Sequence, residues 1–451
     1  MPRRLRSTAV ALLLAPVLFA QQSPIEEPRV REVVSWLAAD ERRGRDTGSV
    51  ELEQCADWLA QQFEAAGLQP GSRGTFFHEW TLPGLRLDSS AVTVTLTRRF
   101  ADQETVIVAE PGRDVRWLRP GDGDRGEAEA CTVVHADDPA LPRVLLQRSA
   151  RRPFVLEVDE QDPDWLRTAT AHTQLGGVRG ASRPVFLVRK GLLPAAPTDG
   201  REATWTLTWS TPAVEKIEVP LRNVVALLPG TTKKDQYVVM SAHYDHIGIG
   251  RAVAGDAIYN GADDNATGTT AVLLAAAAMA KAEPPARSVL FVCFAGEERG
   301  LLGSAAFCDR PPVPREQIVA NLNLEMVGRP EPGNEGKAWL TGPGYSDFAD
   351  IVRAPMQQAG VELIGFEHAD MLFAQSDNWS FAQKGIVAHS LSAGSLHRDY
   401  HQPGDEVGKL DLAHMTRILR ALVPAVRALA DRDTAPAWTD AGRAVVERGR
   451  R

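Results

Sequence analysis

Hydrophobic residues recur at helical spacing near the start of this chain of 451 residues. Between residues 27 and 67, Ala56, Leu59, Phe63 and Ala66 fall on one face of a helix, and Gly67 supplies a stop signal. The pattern predicts two helices on either side of the polar stretch ADERRGRDTGS (residues 39–49).

Between residues 85 and 220 the spacing of apolar residues changes to every second position. Short apolar runs are separated there by Gly, Pro and Asp clusters: AVTVTLT, TVIVAE, RVLLQ, PFVLEV, PVFLV and TWTLTW. Alternation over such short lengths is typical of strands. The region is therefore predicted to be a β-rich inserted module.

From residue 221 to residue 433 strands and helices alternate. The strand candidates are QYVVMSA, SVLFVCFAG, IVANLNLEMV and GIVAHSL, and the helix candidates are ATGTTAVLLAAAAMAKA, GLLGSAAFC and LDLAHMTRILRALVPAVRALAD. This order predicts an α/β fold with a largely parallel sheet. The tail at residues 434–451 is predicted to fray.

Composition is that of a globular protein, with 44% hydrophobic residues, 24% charged residues and a formal net charge of -8. The length suggests two domains, or one large domain with an insert. The acidic balance argues against a nucleic-acid partner.

The first residues, MPRRLRSTAVALLLAPVLFAQQ, place three arginines before an apolar run at residues 9–20. A helix of that length covers about 18 Å, less than the roughly 30 Å core of a bilayer. Residues 1–20 are predicted to be a signal peptide cleaved after Ala20, with an uncleaved anchor as the alternative. No membrane span is predicted after cleavage.

Export would permit disulfides, but the cysteines form no CxxC pair. The sequence contains Cys55, Cys131, Cys293 and Cys308, and their pairing is left open. Cys293 lies in an apolar run and is expected to be a buried free thiol.

Ionisable residues follow the predicted strands where those strands end. The set comprises His243, Asp245, His246, Asp263, Glu297, Glu298, Glu325 and His401. Each alone is ordinary. Together they meet at the carboxyl edge of one sheet, and burying several acids there is costly without a cation.

Imidazole and carboxylate ligands without thiolates favour zinc, with cobalt or manganese as alternatives. Three carboxylates (Asp263, Glu298 and Glu325) and a bridging hydroxide carry four negative charges, which two divalent ions balance. Two ions bridged by a carboxylate and a water form a hydrolytic site.

Five motifs in order carry a family resemblance: SAHYDHIG, NGADDNATG, FAGEERGLLGS, NLEMVGR and DYHQPGDE. Together they resemble the co-catalytic dizinc aminopeptidases, a family of secreted bacterial exopeptidases related to glutamate carboxypeptidase and, more distantly, to glutaminyl cyclases. The resemblance covers residues 223–433 and the helices around residues 39–49. It implies a three-layer phosphorylase/hydrolase-like fold with helices on both faces of a mixed, mostly parallel sheet.

The resemblance also implies roles for single residues. Asp263 would bridge two zinc ions; His243 and Glu325 would complete one site, and Glu298 and His401 the other. Glu297 would be the general base on a metal-bridging hydroxide, and Tyr400 would hydrogen-bond the oxyanion. A cis peptide bond is expected between Asp263 and Asp264.

Two positions depart from the family pattern. Glu325 stands where the family usually has Asp, and Asn378 stands where it often has His or Tyr. The insert at residues 85–220 occupies the place of a protease-associated domain in many relatives, although an unrelated β insert fits its sequence equally well.

The leading hypothesis is a secreted or periplasmic aminopeptidase that acts on peptides, with residues 21–84 and 221–433 forming the peptidase domain. A carboxypeptidase or dipeptidase, a glutaminyl cyclase and a catalytically inactive scaffold on the same fold are the alternatives. The preferred first residue of the substrate and the oligomeric state are left open.

Overall fold

The computed structural model describes residues 25–136, 152–169, 171–175, 183–197, 201–394 and 396–450. The predicted signal peptide and the run RVLLQ lie outside the described residues. No helix of the described part is long and apolar enough to cross a membrane.

Helices account for the following described segments. They are α1 (Glu27–Leu37), α2 (Val50–Ala65), α3 (Pro163–Arg167), α4 (Gly268–Ala280), α5 (Leu302–Asp309), α6 (Phe348–Gln358), α7 (Asn378–Gln383), α8 (Leu412–Asp431) and α9 (Asp440–Gly449). Short 3₁₀ turns cover Asp40–Arg45, Arg315–Gln317, Met371–Ala374 and Val407–Lys409.

Strands are distributed over one large sheet and three smaller ones. They are β1 (Gln69–Pro70), β2 (Phe77–Leu87), β3 (Thr93–Phe100), β4 (Gln103–Ala109), β5 (Val115–Arg119), β6 (Arg125–Ala128), β7 (Thr132–Val134), β8 (Phe154–Val158), β9 (His172–Leu175), β10 (Val185–Arg189), β11 (Thr204–Ser210), β12 (Glu215–Leu228), β13 (Lys233–His243), β14 (Gly248–Val253), β15 (Asp256–Tyr259), β16 (Arg287–Phe294), β17 (Ile318–Glu325), β18 (Lys337–Leu340), β19 (Glu362–Leu363) and β20 (Val387–Ser392).

The large sheet has the strand order β19-β18-β20-β17-β13-β16-β12-β2-β9 in the described residues, with β1 paired to β12. Its centre, from β20 through β17 and β13 to β16, is parallel. Beyond β16 the pairing becomes antiparallel: β12 pairs antiparallel with β16 and, over ten residues, with β2. The predicted boundary at residue 220 therefore falls inside β12.

Side chains of the central strands alternate between two buried faces. On β16, Val289, Phe291 and Cys293 belong to the cluster formed with α1, α2, α4, α6 and α8. Leu290 and Val292 join the cluster that contains Phe307, Phe381 and their neighbours on the other face. Helices thus cover both faces, and the predicted α/β class is confirmed.

The segment between β2 and β12 forms two further sheets in its described residues. One has the order β5-β10-β8-β7 and the other the order β4-β3-β11-β6. Trp117, Phe186 and Leu207 lie in a hydrophobic cluster that is separate from those of the large sheet. The segment therefore has a core of its own.

The C-terminal tail is ordered, contrary to the prediction that it frays. Helix α9 begins after Thr439, whose hydroxyl accepts a hydrogen bond from the Gly442 N–H. Its Val446 is buried against Phe373 and Ala382. The partly buried Val445 packs against the same cluster, so the cap and these two valines hold the helix in place. All four cysteines are buried and unpaired, including Cys293 as predicted.

The parallel register brings the strand ends to one edge. His243 at the end of β13 pairs with Phe294 of β16, and Glu325 at the end of β17 pairs with Ser392 of β20. The loops that follow these strands carry the ionisable residues singled out in the sequence.

Candidate metal centre

Asp264 lies between two histidines from distant parts of the chain. Its Oδ1 is 3.3 Å from Nε2 of His243, and its Oδ2 is 3.1 Å from Nε2 of His401. Each carboxylate oxygen therefore faces a different imidazole. This is the arrangement expected of a carboxylate shared between two metal positions.

Two acids complete the surroundings of His243. Its Nε2 is 3.4 Å from Oε2 of Glu325 and 4.0 Å from Oε2 of Glu297. His243, Glu297 and Glu325 offer ligand atoms close enough together to hold a metal ion. The Nδ1 of His243 lies 3.1 Å from the carbonyl oxygen of Asp245, which can only accept. Nδ1 is thus the protonated nitrogen, and the Nε2 lone pair faces the acids.

Glu298 and a second histidine lie on the His401 side. Glu298 Oε2 is 3.3 Å from Nε2 of His401, and its Oε1 is 2.6 Å from Nδ1 of His246. His246, Asp264 and Glu298 form a further group able to hold a metal ion. Because His246 is fully buried and contacts only one oxygen of Glu298, the other oxygen stays directed at His401.

Asp263 was predicted to be the shared carboxylate, but the side chain that lies between His243 and His401 is that of Asp264. Asp263 Oδ1 accepts a hydrogen bond of 2.8 Å from the Gly328 N–H, and its Oδ2 lies 3.3 Å from Nε2 of His397. Residues 262–267 form one wide helical turn after the left-handed Gly261, and neighbouring side chains on it diverge. The cis peptide bond joins Asp264 to Asn265, not Asp263 to Asp264.

Polar neighbours hold this turn and Glu325 in place. The Asp405 carboxylate accepts hydrogen bonds from the backbone N–H groups of Asp263 and Asp264. Asn265 donates to Glu325 Oε2 at 2.9 Å, while Ser376 and Asn323 donate to Oε1. Such support fixes the orientation of candidate ligands.

The buried acids of the cluster repel one another, and a positive charge among them would stabilise their ionised forms. Burial, together with the neighbouring Asp264, raises the pKa of Glu298 to about 8. Burial also raises the pKa of Glu297 well above its ordinary value. Burial opposes ionisation of Asp264 too, but the facing imidazoles of His243 and His401 outweigh it and hold its pKa well below the usual range. A divalent cation among these atoms would remove the mutual repulsion, so the donor set fits a metal.

Glu297 is tied to a neighbouring buried acid through its backbone. The Glu297 N–H donates to Asp245 Oδ1 at 3.2 Å, and Thr47 donates to Asp245 Oδ2 at 2.8 Å. The Glu297 side chain is 14% exposed, so a water molecule can reach it. Tyr400 stacks on the ring of His401 with 3.9 Å between ring centroids, at the rim of the site.

Comparison with known proteins relates the part of the chain that carries this site to a known family. Residues 223–426 match the model of Peptidase family M28. That range contains every residue of the candidate centre described above: His243, His246, Asp264, Glu297, Glu298, Glu325 and His401.

The resemblance drawn from the five motifs is thereby confirmed at the level of the family. A probable leucine aminopeptidase from Arthroderma otae is 28% identical over 205 residues, 43% of this chain and 53% of that protein. One from Trichophyton verrucosum is 27% identical over 213 residues, 45% of this chain and 54% of that protein. The chain thus spans about half the length of these curated relatives.

Solved structures extend the likeness of fold beyond the M28 segment. A zinc aminopeptidase from Bacillus subtilis superposes with a TM-score of 0.57 at 16% identity, covering 92% of this chain and 98% of that chain. An aminopeptidase from Aneurinibacillus sp. strain AM-1 gives a TM-score of 0.52 at 17% identity, covering 91% and 96%. At these identities the likeness shows the fold alone.

Sequence reasoning missed the side-chain directions within the M28 loops. In the pair Asp263–Asp264 it selected the wrong acid for the position between the histidines, because nothing in GADDN signals which side chain faces the strand ends. It listed His246 without a role. It also overlooked Asp377, which is fully buried and whose pKa is raised to about 7 by that burial. The serine before Asp377 contacts Glu325, so the SDN triplet was the available signal.

Proposed function

We propose that this protein is a zinc-dependent exopeptidase, namely an aminopeptidase that releases N-terminal residues from peptides. One observation carries the proposal: Asp264 lies between His243 and His401, with Glu325 on one side and Glu298 on the other. The match of residues 223–426 to the model of a peptidase family supports the reaction class.

Two zinc ions per chain are proposed. His243, Asp264 and Glu325 would hold one, and Asp264, Glu298 and His401 the other. Nitrogen and oxygen donors without thiolate suit zinc, and the name of the Bacillus subtilis structural neighbour supports that choice. When bound, the ions supply Lewis-acid polarisation of the scissile carbonyl and lower the pKa of a bound water.

Glu297 is proposed as the general base. Its carboxylate would take a proton from the attacking water and pass it to the leaving amine, which requires a group near the site that is accessible to water. Burial, which raises the pKa of this carboxyl, favours its taking up a proton. Tyr400, at the rim beside His401, would donate its hydroxyl to the developing oxyanion.

The free N-terminus of a peptide suits this site better than its C-terminus. Glu297, Glu298 and Glu325 present negative charge to a protonated or metal-bound amine. Arg299 and Arg329, which follow site residues in the chain, are already paired: Arg299 with Asp46, and Arg329 with Asp399. Engaged guanidinium groups are poorly placed to bind a terminal carboxylate, which disfavours a carboxypeptidase.

Export is proposed as well, from the basic start and short apolar run of residues 1–20. N-terminal sequencing of the mature protein from the producing cells tests this. A chain that begins at residue 21 is the expected result, and an intact first residue in the mature protein would contradict it.

The function is tested by combining metal analysis with peptide cleavage. We expect two zinc ions per chain, loss of activity on removing them with a chelator, and recovery on adding zinc. Leucyl amides and free peptides should be cleaved from the N-terminus, as the names of the curated relatives suggest. If N-acetylated peptides were cleaved equally fast, the aminopeptidase assignment would be wrong; a protein that retains no metal would contradict the proposal as a whole.

A further inference from the structure

Residues 45–47 lie beneath the candidate metal centre although they are far from it in sequence. The stretch lies outside residues 223–426, the part matched by the family model. Building on the proposed function, we infer that Arg45 and Thr47 are positioning residues, and that this 45–47 segment holds three loops of the site in their working geometry.

Arg45 joins the first two loops through their backbones. Its side chain is fully buried, and its guanidinium donates to four carbonyl oxygens: Leu37 at 2.7 Å, Tyr244 at 2.8 Å, Asn260 at 2.7 Å and Gly261 at 3.0 Å. Tyr244 follows His243 directly, and Gly261 begins the turn that carries Asp264. One rigid fork therefore links the loops that present these two groups.

The backbone of the segment adds a further link. The Arg45 carbonyl accepts a hydrogen bond of 3.1 Å from the His246 N–H, and Asp46 forms a parallel bridge with His246. Gly44 and Arg45 both have left-handed backbone conformations, with φ values of 67° and 50°. A Cβ at Gly44 would collide with the carbonyl oxygens of Tyr259 and Gly248. The close approach requires glycine there, and such a conformation persists only where the surroundings enforce it.

Thr47 and Asp46 reach the third loop, which carries the proposed base. The Thr47 hydroxyl donates to Asp245 Oδ2 at 2.8 Å, and Asp245 Oδ1 accepts the Glu297 N–H at 3.2 Å. Asp46 pairs with Arg299 at 2.5 Å, one residue beyond Glu298. Removing the Thr47 hydroxyl would leave one oxygen of a fully buried carboxylate without its donor.

All of these contacts to the site loops end on a proposed ligand, on the base, or within a few residues of one. Contacts that served only the packing of the fold would not be expected to cluster around the candidate metal centre. A positioning role predicts that turnover changes more than stability. Partners of ligands of this kind commonly alter metal affinity or activity by about 10–100-fold.

Thr47→Val in the full chain is the main test because valine keeps the shape and removes only the hydroxyl. We expect kcat on a leucyl amide to fall by about 10-fold with KM nearly unchanged, and Thr47→Ser to restore it. The matched control is Thr168→Val, which removes the hydroxyl of another buried threonine, one that donates to the Asp164 carbonyl in the insert. Its melting temperature should fall similarly while kcat stays at the wild-type value.

Arg45→Lys tests the link between the first two loops. A lysine ammonium cannot bond to all four carbonyls, so the affinity for zinc should fall by about 10-fold. Less zinc should therefore remain bound after dialysis. Hydrogen exchange supplies a readout that needs no activity: amides of residues 244–246, 260–264 and 296–299 should exchange faster in Arg45→Lys and Thr47→Val than in Thr168→Val.

The inference would be overturned if Thr47→Val kept the kcat, zinc content and exchange rates of the wild type. Equal losses of kcat in Thr47→Val and Thr168→Val would overturn it as well. If the wild-type protein binds no zinc and cleaves no peptide, the proposed function fails by itself. The exchange comparison then still decides whether the segment holds these loops: unchanged exchange in both variants would refute it.

Discussion

The two sides of the candidate metal centre are built from different kinds of structure. His243 and Glu325 stand at the ends of the central parallel strands β13 and β17, with side chains 2% and 18% exposed. His401 lies on a loop between β20 and α8, with its side chain 37% exposed. Glu298, in the loop after β16, is 9% exposed. Only Asp264 belongs to both sides.

The support of the two sides differs as well. The His243 ring is fixed by the Asp245 carbonyl, and Glu325 is held by Asn265, Asn323 and a serine. The His401 ring faces Asp264 and Glu298 but otherwise stacks on the partly exposed Tyr400, and its backbone is left-handed with a φ of 56°. The strand side is thus preorganised, whereas the loop side depends on fewer neighbours. The comparison predicts unequal metal affinities with one shared ligand.

The largest effect is expected at the shared residue. Asp264→Asn weakens both positions at once, so both zinc ions should be lost on dialysis. Lewis-acid stabilisation is worth several kcal/mol, and each 1.4 kcal/mol is tenfold, so kcat should fall at least ~1,000-fold. Metal analysis and steady-state kinetics measure this.

The neighbouring Asp263→Asn is the matched control. Its carboxylate faces Gly328 and His397 rather than the cluster, so both metal ions should remain and activity should fall by less than about 10-fold. The reverse ranking of the two variants would return the bridging role to Asp263.

A smaller effect should separate the two adjacent glutamates. Glu297→Gln removes the proposed base without removing a ligand, so turnover should fall at least ~100-fold while two zinc ions remain. Glu298→Gln should instead weaken the metal on the loop side. Zinc content after dialysis distinguishes these outcomes, and the opposite pattern would exchange the two assignments.

Much of the fold was predictable because its hydrophobic patterns are strong. The continuous apolar runs of β13, β16 and β17 are buried on both faces, and that environment gives parallel central strands their sequence pattern. Less visible were β2 and β12, whose outer halves are half-exposed and interrupted by Pro83 and Pro220. Helix α9 was missed because only Gly442 and Val446 of its residues are buried, so its sequence shows little of the apolar stripe by which a helix is recognised.

The site was predictable as a set of strand-end residues but not as a geometry. Parallel strands bring their carboxyl ends to one edge, so His243 and Glu325 follow from the topology. The choice between Asp263 and Asp264 depends on a turn with an unusual backbone, which spacing does not encode. The contribution of Arg45 was equally hidden, since its bonds go to backbone carbonyls that leave no mark in the sequence.

The inequality of the two sides can be measured directly in the wild-type protein. As a chelator is titrated, zinc should leave in two steps, with affinities that differ by roughly 10-fold or more. His401→Ala should remove the weaker step and keep one ion, whereas His243→Ala should remove the stronger step. A single step in the wild-type titration, or loss of the same step in both variants, would remove the distinction between strand side and loop side.

The smallest effect is expected at the family departure on the strand side. Glu325→Asp keeps a carboxylate but withdraws it by one methylene from His243 and from the side chains that fix it, so two zinc ions should remain and kcat should fall by less than about 10-fold. Glu325→Ala opens the position, so the strand-side ion should be lost at low zinc, with activity partly recovering as zinc is raised. Glu362→Asp, an exposed glutamate of β19, is the control for the substitution itself and should change neither property. Metal analysis of dialysed Glu325→Ala is decisive: two ions per chain would show that Glu325 is not a ligand, and the preorganised side would then rest on His243 and Asp264 alone.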